Sequence, residues 1–272
     1  MSLFADTSLL FGLLLKMAMT ASIVVAASFV VERAGPFIGA MIASLPTAGG
    51  AAYIILAMEH PPSFIAQSAV ASMAANIAVG IFALAYAALA QRHNIAVSLG
   101  GALLVWVAVA AATRLVEWTP LFATLATAAV YSCTILASRR FRTDGTAVKR
   151  VAATPGEIAW RALIVSAFVA VVTTISHAIG AFASGLLAFF PIAMSSFFVI
   201  LHTRLGGPAS ASVAAHVQAP MIGLPLGLLA VHYLAVPVGV WWSLLIGLAI
   251  CIAWNALLWL IRNARRMAEK SL

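Results

Sequence analysis

The sequence predicts an all-α fold: a polytopic membrane helix bundle of about nine spans with an inverted-topology internal repeat. Three observations support this fold class. Hydrophobic residues make up 64% of the 272 residues and charged residues only 8%, with a mean hydropathy of +1.10. Apolar stretches of about 20 residues, the length that crosses the hydrocarbon as a helix, recur along the chain. One of these stretches reappears at a constant offset of 145 residues.

The first half of the chain, residues 1–138, contains five apolar stretches, and the second half, residues 158–272, contains four. The charged segment 139–157 separates the halves as a linker. Helix is expected for each stretch, because backbone groups in lipid must bond within their own segment and no alternating strand pattern is present. The sequence leaves open whether a tenth short span lies within 237–261. In order, the nine predicted spans are 8–32, 36–58, 63–90, 95–114, 119–138, 158–179, 181–203, 209–234 and 237–261.

The basic residues predict the orientation of the bundle. With the linker 139–157 in the cytoplasm, nine spans place 13 of the 15 Lys and Arg residues on that side and leave only Lys16 and Arg114 on the other. This positive-inside bias predicts an inner-membrane protein with its N-terminus outside and its C-terminus in the cytoplasm. The same bias accounts for the net charge of +8, so we expect no nucleic-acid partner.

The internal repeat aligns residues 35–58 with residues 180–203 without a gap, and seven of the 24 positions are identical. The identical pairs are Gly35/Gly180, Phe37/Phe182, Ala43/Ala188, Pro46/Pro191, Ala48/Ala193, Ile55/Ile200 and Leu56/Leu201. Because five spans precede the second copy, that copy is expected to cross the membrane in the opposite direction. Inverted repeats of this kind are typical of secondary transporters, whose binding sites lie where interrupted helices meet.

The shared proline falls within a predicted span in both copies. It predicts a break in each helix, because proline lacks an amide hydrogen and clashes with the carbonyl four residues earlier. Small or hydroxylated residues follow each proline: Thr47, Gly49 and Gly50 after Pro46, and Ser195 and Ser196 after Pro191. Half-helices beginning there would point N-terminal amides at the midplane, which suits a carboxylate, a small anion or a neutral hydrogen-bonding solute. The alternative is that the prolines only bend continuous helices.

Polar side chains in the next span of each half are further candidates for substrate binding: Asn76, His216 and Gln218. His216 could carry a coupling proton, because imidazole titrates near physiological pH. The alternative for all three is a hydrogen bond between helices that only holds the bundle together. Lys16 and Arg161, which pair at the repeat offset, could draw in an anionic substrate from either side or could extend to the lipid headgroups.

The residues around both prolines resemble the GlpM-like inner-membrane protein family, in which a run rich in Ala, Gly and Leu leads to Phe-Pro and then to a half-helix. The run reads SGLLAFFP at residues 184–191 and, more loosely, GAMIASLP at residues 39–46. The resemblance covers about 25 residues of each half, so the chain looks like two fused units of this kind. The resemblance implies a fold unit and no particular substrate.

These features predict a secondary transporter or exporter of a small polar or anionic metabolite that works by alternating access. A non-transporting scaffold of a larger complex and a lipid-headgroup translocase are the alternatives. No Asp or Glu lies deep in a predicted span, which disfavours a cation exchanger built on buried carboxylates. No catalytic motif is present, and His60 and His93 lack ligand spacing, so we expect no enzyme activity, no cofactor and no metal. The expected partners are a small-molecule substrate and the lipid bilayer, and homo-oligomer formation stays open.

The space beside the two prolines separates a carrier from a scaffold. A polar cavity at the midplane lined by Thr47, Asn76, Ser195 and His216 would favour transport. A packed apolar seam would favour the scaffold, and the chain offers Phe189, Phe190, Phe197 and Phe198 to fill one.

Overall fold

A computed structural model describes residues 2–33, 47–142 and 154–270 of the chain. Ten α-helices account for most of these residues, and no strand lies among them. The helices are α1 (Ser2–Arg33), α2 (Thr47–Glu59), α3 (Pro62–Leu89), α4 (Ile95–Ala112), α5 (Pro120–Ser138), α6 (Pro155–Ala188), α7 (Ile192–Leu205), α8 (Gly207–His216), α9 (Gly223–Leu234) and α10 (Val240–Lys270). Three 3-10 helices lie at Thr113–Leu115, Arg139–Phe141 and Pro220–Ile222.

The predicted all-α membrane fold is confirmed in this coarse form. Five helical runs in the described ranges are long and apolar enough to cross a membrane, and a sixth is added if α8 and the following 220–234 segment, bent by 42°, form one span. This number is lower than the nine spans predicted. One reason is that the first part of the predicted span 36–58, residues 36–46, lies outside the described residues, and the described part is too short to cross a membrane alone. Another is that no polar loop divides the apolar run Pro155–Leu205 into two spans.

Local sequence fixes where several helices begin. At α4, the Asn94 side chain accepts a hydrogen bond from the Val97 amide at 3.0 Å. At α6, the Thr154 hydroxyl accepts from the Glu157 amide and the Glu157 carboxylate accepts from the Thr154 amide, a reciprocal capping box. Pro155 occupies the first turn of α6, where a missing amide hydrogen costs nothing. These caps place the start of α6 immediately after the charged linker.

Helix α3 is the centre of the bundle. Its apolar window is 83% buried, and it packs against α4, α5, α6, α8 and α9. The corresponding windows of α4, α5 and α10 are only 22%, 28% and 17% buried. These outer helices expose large apolar side chains such as Leu104, Leu121 and Trp242. An apolar surface of this extent suits contact with lipid, whereas it would aggregate in water.

The helix bounds repeat at the offset found in the sequence. Four pairs of bounds differ by 145 residues. They are the starts of α2 and α7 (47 and 192), the starts of α3 and α8 (62 and 207), the ends of α3 and α9 (89 and 234), and the starts of α4 and α10 (95 and 240). The helical pattern therefore recurs well beyond the 24 aligned residues. Within the region of α3 the copies differ, because α3 is continuous whereas its counterpart is interrupted at 217–219.

Candidate functional site

The helix break predicted at Pro191 is present. Helix α6 ends at Ala188, and α7 begins at Ile192. Phe189 and Pro191 leave the helical conformation, with φ −107°, ψ 22° and φ −75°, ψ 41° respectively. A second break lies inside α6 at Gly180, where φ is +77°. The two breaks isolate the segment 181–188, which is too short to cross a bilayer alone. Pro46 lies outside the described residues.

Helix α3 holds the segment 181–188 by two hydroxyl groups on one face. Ser68 donates to the Ala181 carbonyl at 2.9 Å, and Ser72 donates to the Gly185 carbonyl at 2.7 Å. Because the single Ser72 proton is used there, the Tyr53 hydroxyl must donate to Ser72, at 2.7 Å. A Cβ atom at Gly185 would collide with the Ser68 carbonyl oxygen, so the two backbones approach as closely as a glycine permits.

Aromatic rings fill the space beside the Pro191 break. A Cβ atom at Gly49 would lie 2.7 Å from Phe189 Cζ, so the Phe189 ring packs directly on the backbone of α2. Phe189 also contacts Tyr53, with ring centroids 6.1 Å apart. Phe190 meets the Trp106 ring edge-on, with the centroids 4.9 Å apart. This packing is the kind of seam expected for the scaffold alternative.

Buried polar atoms without a partner lie on both sides of the same break. Ser184 in the segment 181–188 is fully buried, and Ser195 in the first turn of α7 is 7% exposed. Neither hydroxyl, nor the Asn76 amide nitrogen, has a hydrogen-bond partner within the described ranges. A buried polar group left unpaired costs about 1–3 kcal/mol. The two serine hydroxyls therefore have unused hydrogen-bonding capacity beside the break.

Asn76 and Gln218 make hydrogen bonds between helices. Tyr131 of α5 donates to the Asn76 side-chain oxygen at 2.6 Å. Gln218, at the break between α8 and α9, donates to the Gly80 carbonyl at 2.9 Å and accepts from Thr134 at 3.1 Å. The Gln218 amide therefore links α3, α5 and the break. The nitrogen and the oxygen of the Gln218 amide are therefore both used in hydrogen bonds between helices.

The structure does not bring all the predicted site residues together. Thr47 and Gly50 are half-buried at the start of α2, and Ser196 donates to the Ala193 carbonyl of its own helix at 2.8 Å. His216 is exposed at the end of α8, with its Nδ1 2.7 Å from the Ser212 carbonyl oxygen. His216 is thus exposed, unlike the buried serines beside Pro191.

The two cations predicted to guide a substrate already have partners. Lys16 pairs with Glu59, its Nζ lying 2.8 Å from Oε1. The Arg161 guanidinium carbon lies 5.5 Å from the centre of the Phe197 ring. Neither side chain is presented as an open cationic site.

Buried tyrosines are the residues that sequence reasoning missed. Tyr53, Tyr86 and Tyr131 are nearly inaccessible, and each hydroxyl contacts a polar group of another helix. Tyr86 lies 2.7 Å from the Ser210 hydroxyl and 3.0 Å from His202 Nδ1, with its ring stacked on Phe198. A signal was present, because a tyrosine within an apolar span requires a hydrogen-bond partner.

A cavity of about 230 Å³ lies between α3, α5 and α9, away from the Pro191 break. Its walls are mainly apolar and include Met73, Tyr131 and Pro225. Thr127 also lines the cavity, and its hydroxyl has no hydrogen-bond partner in the described part of the chain.

A second polar cluster lies where α2 ends and α3 begins. Glu59, His60 and His177 of α6 bring their possible ligand atoms within 4.8 Å of one another. His60 Nε2 lies 2.7 Å from the Ser176 hydroxyl oxygen. Burial, followed by the neighbouring His177, lowers the pKa of His60 below its usual value, and this favours the neutral ring at neutral pH. Sequence spacing did not reveal His177 as a neighbour of His60, because the two lie in different halves.

Comparison with models of protein families, with curated proteins and with solved structures gave no match to this chain. The similarity to the GlpM-like family therefore stays a prediction from the residues around Pro46 and Pro191. The function is therefore inferred from the chemistry of the site itself.

Proposed function

We propose that the chain is a secondary carrier that moves a small polar or anionic solute across the inner membrane by alternating access around the Pro191 break. The observation that carries this proposal is the pair of buried hydroxyls, Ser184 and Ser195, that flank the break without a partner among the described residues. A solute that entered the break would give both groups a hydrogen bond and would remove the cost of leaving them unpaired.

The chemistry of the buried side chains favours an anion or a neutral hydrogen-bonding solute. The buried polar side chains in the described ranges are those of Ser, Thr, Asn and Gln together with the buried tyrosines, so no carboxylate among them could hold a cation. Helix α7 begins beside Ser195, and a helix N-terminus carries about half a positive charge. Uncharged donors together with this dipole match a carboxylate or a similar group.

The repeated helix bounds support alternating access as the mechanism of transport. We propose that the halves form an inverted repeat of nine spans in all, with the N-terminus outside and the C-terminus in the cytoplasm. In such a fold, one repeat rocks against the other around a fixed central site. The Pro46 region would then complete the site opposite Pro191.

Two alternatives each have a specific observation in their favour. The rings of Phe189 and Phe190 that fill the space beside the break favour a scaffold. The apolar cavity between α3, α5 and α9 favours a lipid-headgroup translocase, because such a protein needs a lateral opening between helices.

The experiment is a thermal-shift screen of the purified full chain against classes of small metabolites. The wild type is compared with Ser184→Ala, Ser195→Ala and the matched control Ser243→Ala. Ser243 is equally buried, but its hydroxyl donates to Val240 of its own helix at 2.7 Å. Stabilisation by one solute class that is lost in the first two variants and kept in the control would support the proposal, and reconstituted vesicles should then take up that solute.

A screen in which no class stabilises the wild type would contradict the carrier and leave the scaffold. Stabilisation by phospholipid headgroups alone would favour the translocase.

A further inference from the structure

The cluster formed by Glu59, His60 and His177 has the composition of a metal site. Glu59 is the last residue of α2, His60 follows it directly, and His177 lies on α6 just before the Gly180 break. Their possible ligand atoms lie within 4.8 Å of one another. In a four-coordinate zinc site with bonds near 2.0–2.1 Å, neighbouring ligand atoms are about 3.3 Å apart. Small side-chain rotations would therefore bring the three groups onto one ion.

The His60 ring is oriented for such a role by Ser176. The Ser176 hydroxyl donates its only proton to the Thr173 carbonyl at 2.6 Å, so it must accept from His60 Nε2 at 2.7 Å. In a neutral His60 ring, the lone pair is then on Nδ1. A hydrogen bond that fixes the tautomer and direction of the ring is the usual second partner of a histidine ligand. The Phe64 ring stacks on His60 at 3.7 Å and fixes the ring plane further.

His177 supplies the second nitrogen. Its ring centroid is 4.1 Å from that of His60, and its side chain is exposed, so an ion can reach the pair. Two imidazole rings with one carboxylate is a ligand set of catalytic zinc sites, in which water occupies the fourth position.

The Glu59 carboxylate already binds a cation in this structure. Lys16 Nζ lies 2.8 Å from Glu59 Oε1 and 3.1 Å from Oε2. The Lys16 ammonium therefore supplies the positive charge next to the two histidines. A divalent ion bound by the same carboxylate would take over this role and would release Lys16.

We propose that Glu59, His60 and His177 bind a divalent transition metal of the zinc class. The imidazole nitrogens select against Mg²⁺ and Ca²⁺, which prefer oxygen ligands. The site goes beyond the proposed transport function, since it depends on neither the Pro191 break nor its substrate.

The test is a zinc titration of the purified full chain after treatment with a chelator, followed by competition with a chromophoric zinc indicator. We expect one saturable site per chain, and Co²⁺ should give the strong visible absorption of a four-coordinate complex. His60→Ala and His177→Ala should each weaken zinc binding by at least tenfold, and Ser176→Ala by about 10–100-fold, the effect expected of a supporting partner. Lys16→Met should bind zinc more tightly, because it removes the competing ammonium.

His93→Ala and His216→Ala are the matched controls, since both histidines are exposed and lie outside the cluster. They should bind zinc as the wild type does. The proposal is overturned if the wild type shows no saturable site at micromolar zinc, if millimolar Mg²⁺ displaces the zinc, or if both cluster variants bind like the controls. Equal metal-free unfolding temperatures show that the variants are folded, and since transport is not measured, failure here leaves the carrier proposal intact.

Discussion

Glu59 and Arg204 lie 145 residues apart, and each forms an ion pair with the long helix that opens its half of the chain. Glu59 Oε1 is 2.8 Å from Lys16 Nζ on α1, and Arg204 Nη2 is 2.7 Å from Glu157 Oε2 on α6. The charges at the two positions are reversed, but the connection between helices is the same. The end of α2 is therefore tied to α1 as the end of α7 is tied to α6.

The Lys16–Glu59 pair should contribute measurably but weakly to stability. Both side chains are partly exposed, and pairs of this kind contribute about 0.2–1 kcal/mol. We expect this coupling from a double-mutant cycle of Lys16→Met and Glu59→Gln, read from chemical unfolding in detergent with a chelator present. Raising the salt should reduce it. Arg92→Met, in the exposed turn after α3, is the control, and a coupling of zero at low salt would contradict the pair.

Gly185→Ala should destabilise the bundle by about 1–3 kcal/mol, the usual cost of forcing extra volume into a packed interior. The added Cβ meets the Ser68 backbone rather than a flexible side chain, so the clash can be relieved only by moving α3 or the segment 181–188. Thermal unfolding in detergent measures the effect. Gly100→Ala in α4 is the control, because a Cβ there meets nothing within 4 Å and alanine favours a helix. Equal unfolding temperatures for the two variants would refute the close approach.

Tyr131→Phe should destabilise the protein by about 1–3 kcal/mol, because it leaves the buried Asn76 oxygen without its donor. The bond is 2.6 Å long, and both residues are nearly inaccessible. Tyr233→Phe is the control, since Tyr233 is 59% exposed. Chemical unfolding measures both variants, and an unchanged midpoint for Tyr131→Phe would show that Asn76 does not depend on α5.

Ser195→Cys should react with a membrane-impermeant thiol reagent from both sides of the membrane, because alternating access opens the central site to each side in turn. The background is Cys133→Ser, since Cys133 is exposed whereas Cys251 is buried. Ala214→Cys is the unreactive control, at a fully buried apolar position of α8. Right-side-out and inverted vesicles give the two rates. Labelling of Ser195→Cys from one side only, or from neither, would argue for the scaffold.

The break at Pro191 is predictable from sequence because its cause is local: proline removes a donor and clashes with the preceding turn. The Gly180 break is only half visible. The repeat shows that Gly180 matches Gly35, but a matched glycine alone does not predict that the backbone φ is +77°. Helix bounds are also well anticipated, since the sequence offset of 145 recurs in four pairs of bounds.

Partners from distant helices are not predictable in the same way. The bond from Ser72 to Gly185 spans 113 residues, and that from Tyr131 to Asn76 spans 55. These contacts depend on how helices rotate about their axes, which the apolar composition of each helix leaves undetermined. The exposure of His216 has the same origin. His60 and His177 likewise become neighbours only when α6 packs beside the end of α2.

The short connections after α2 and α7 restrict how the molecule can move. Only residues 60–61 separate α2 from α3, and Gly206 alone separates α7 from α8. With so little slack, neither half-helix can slide or tilt as an independent gate. Each is instead coupled to the helix that follows it, α2 to α3 and α7 to α8, so that a displacement of α7 beside Pro191 would be passed directly to α8.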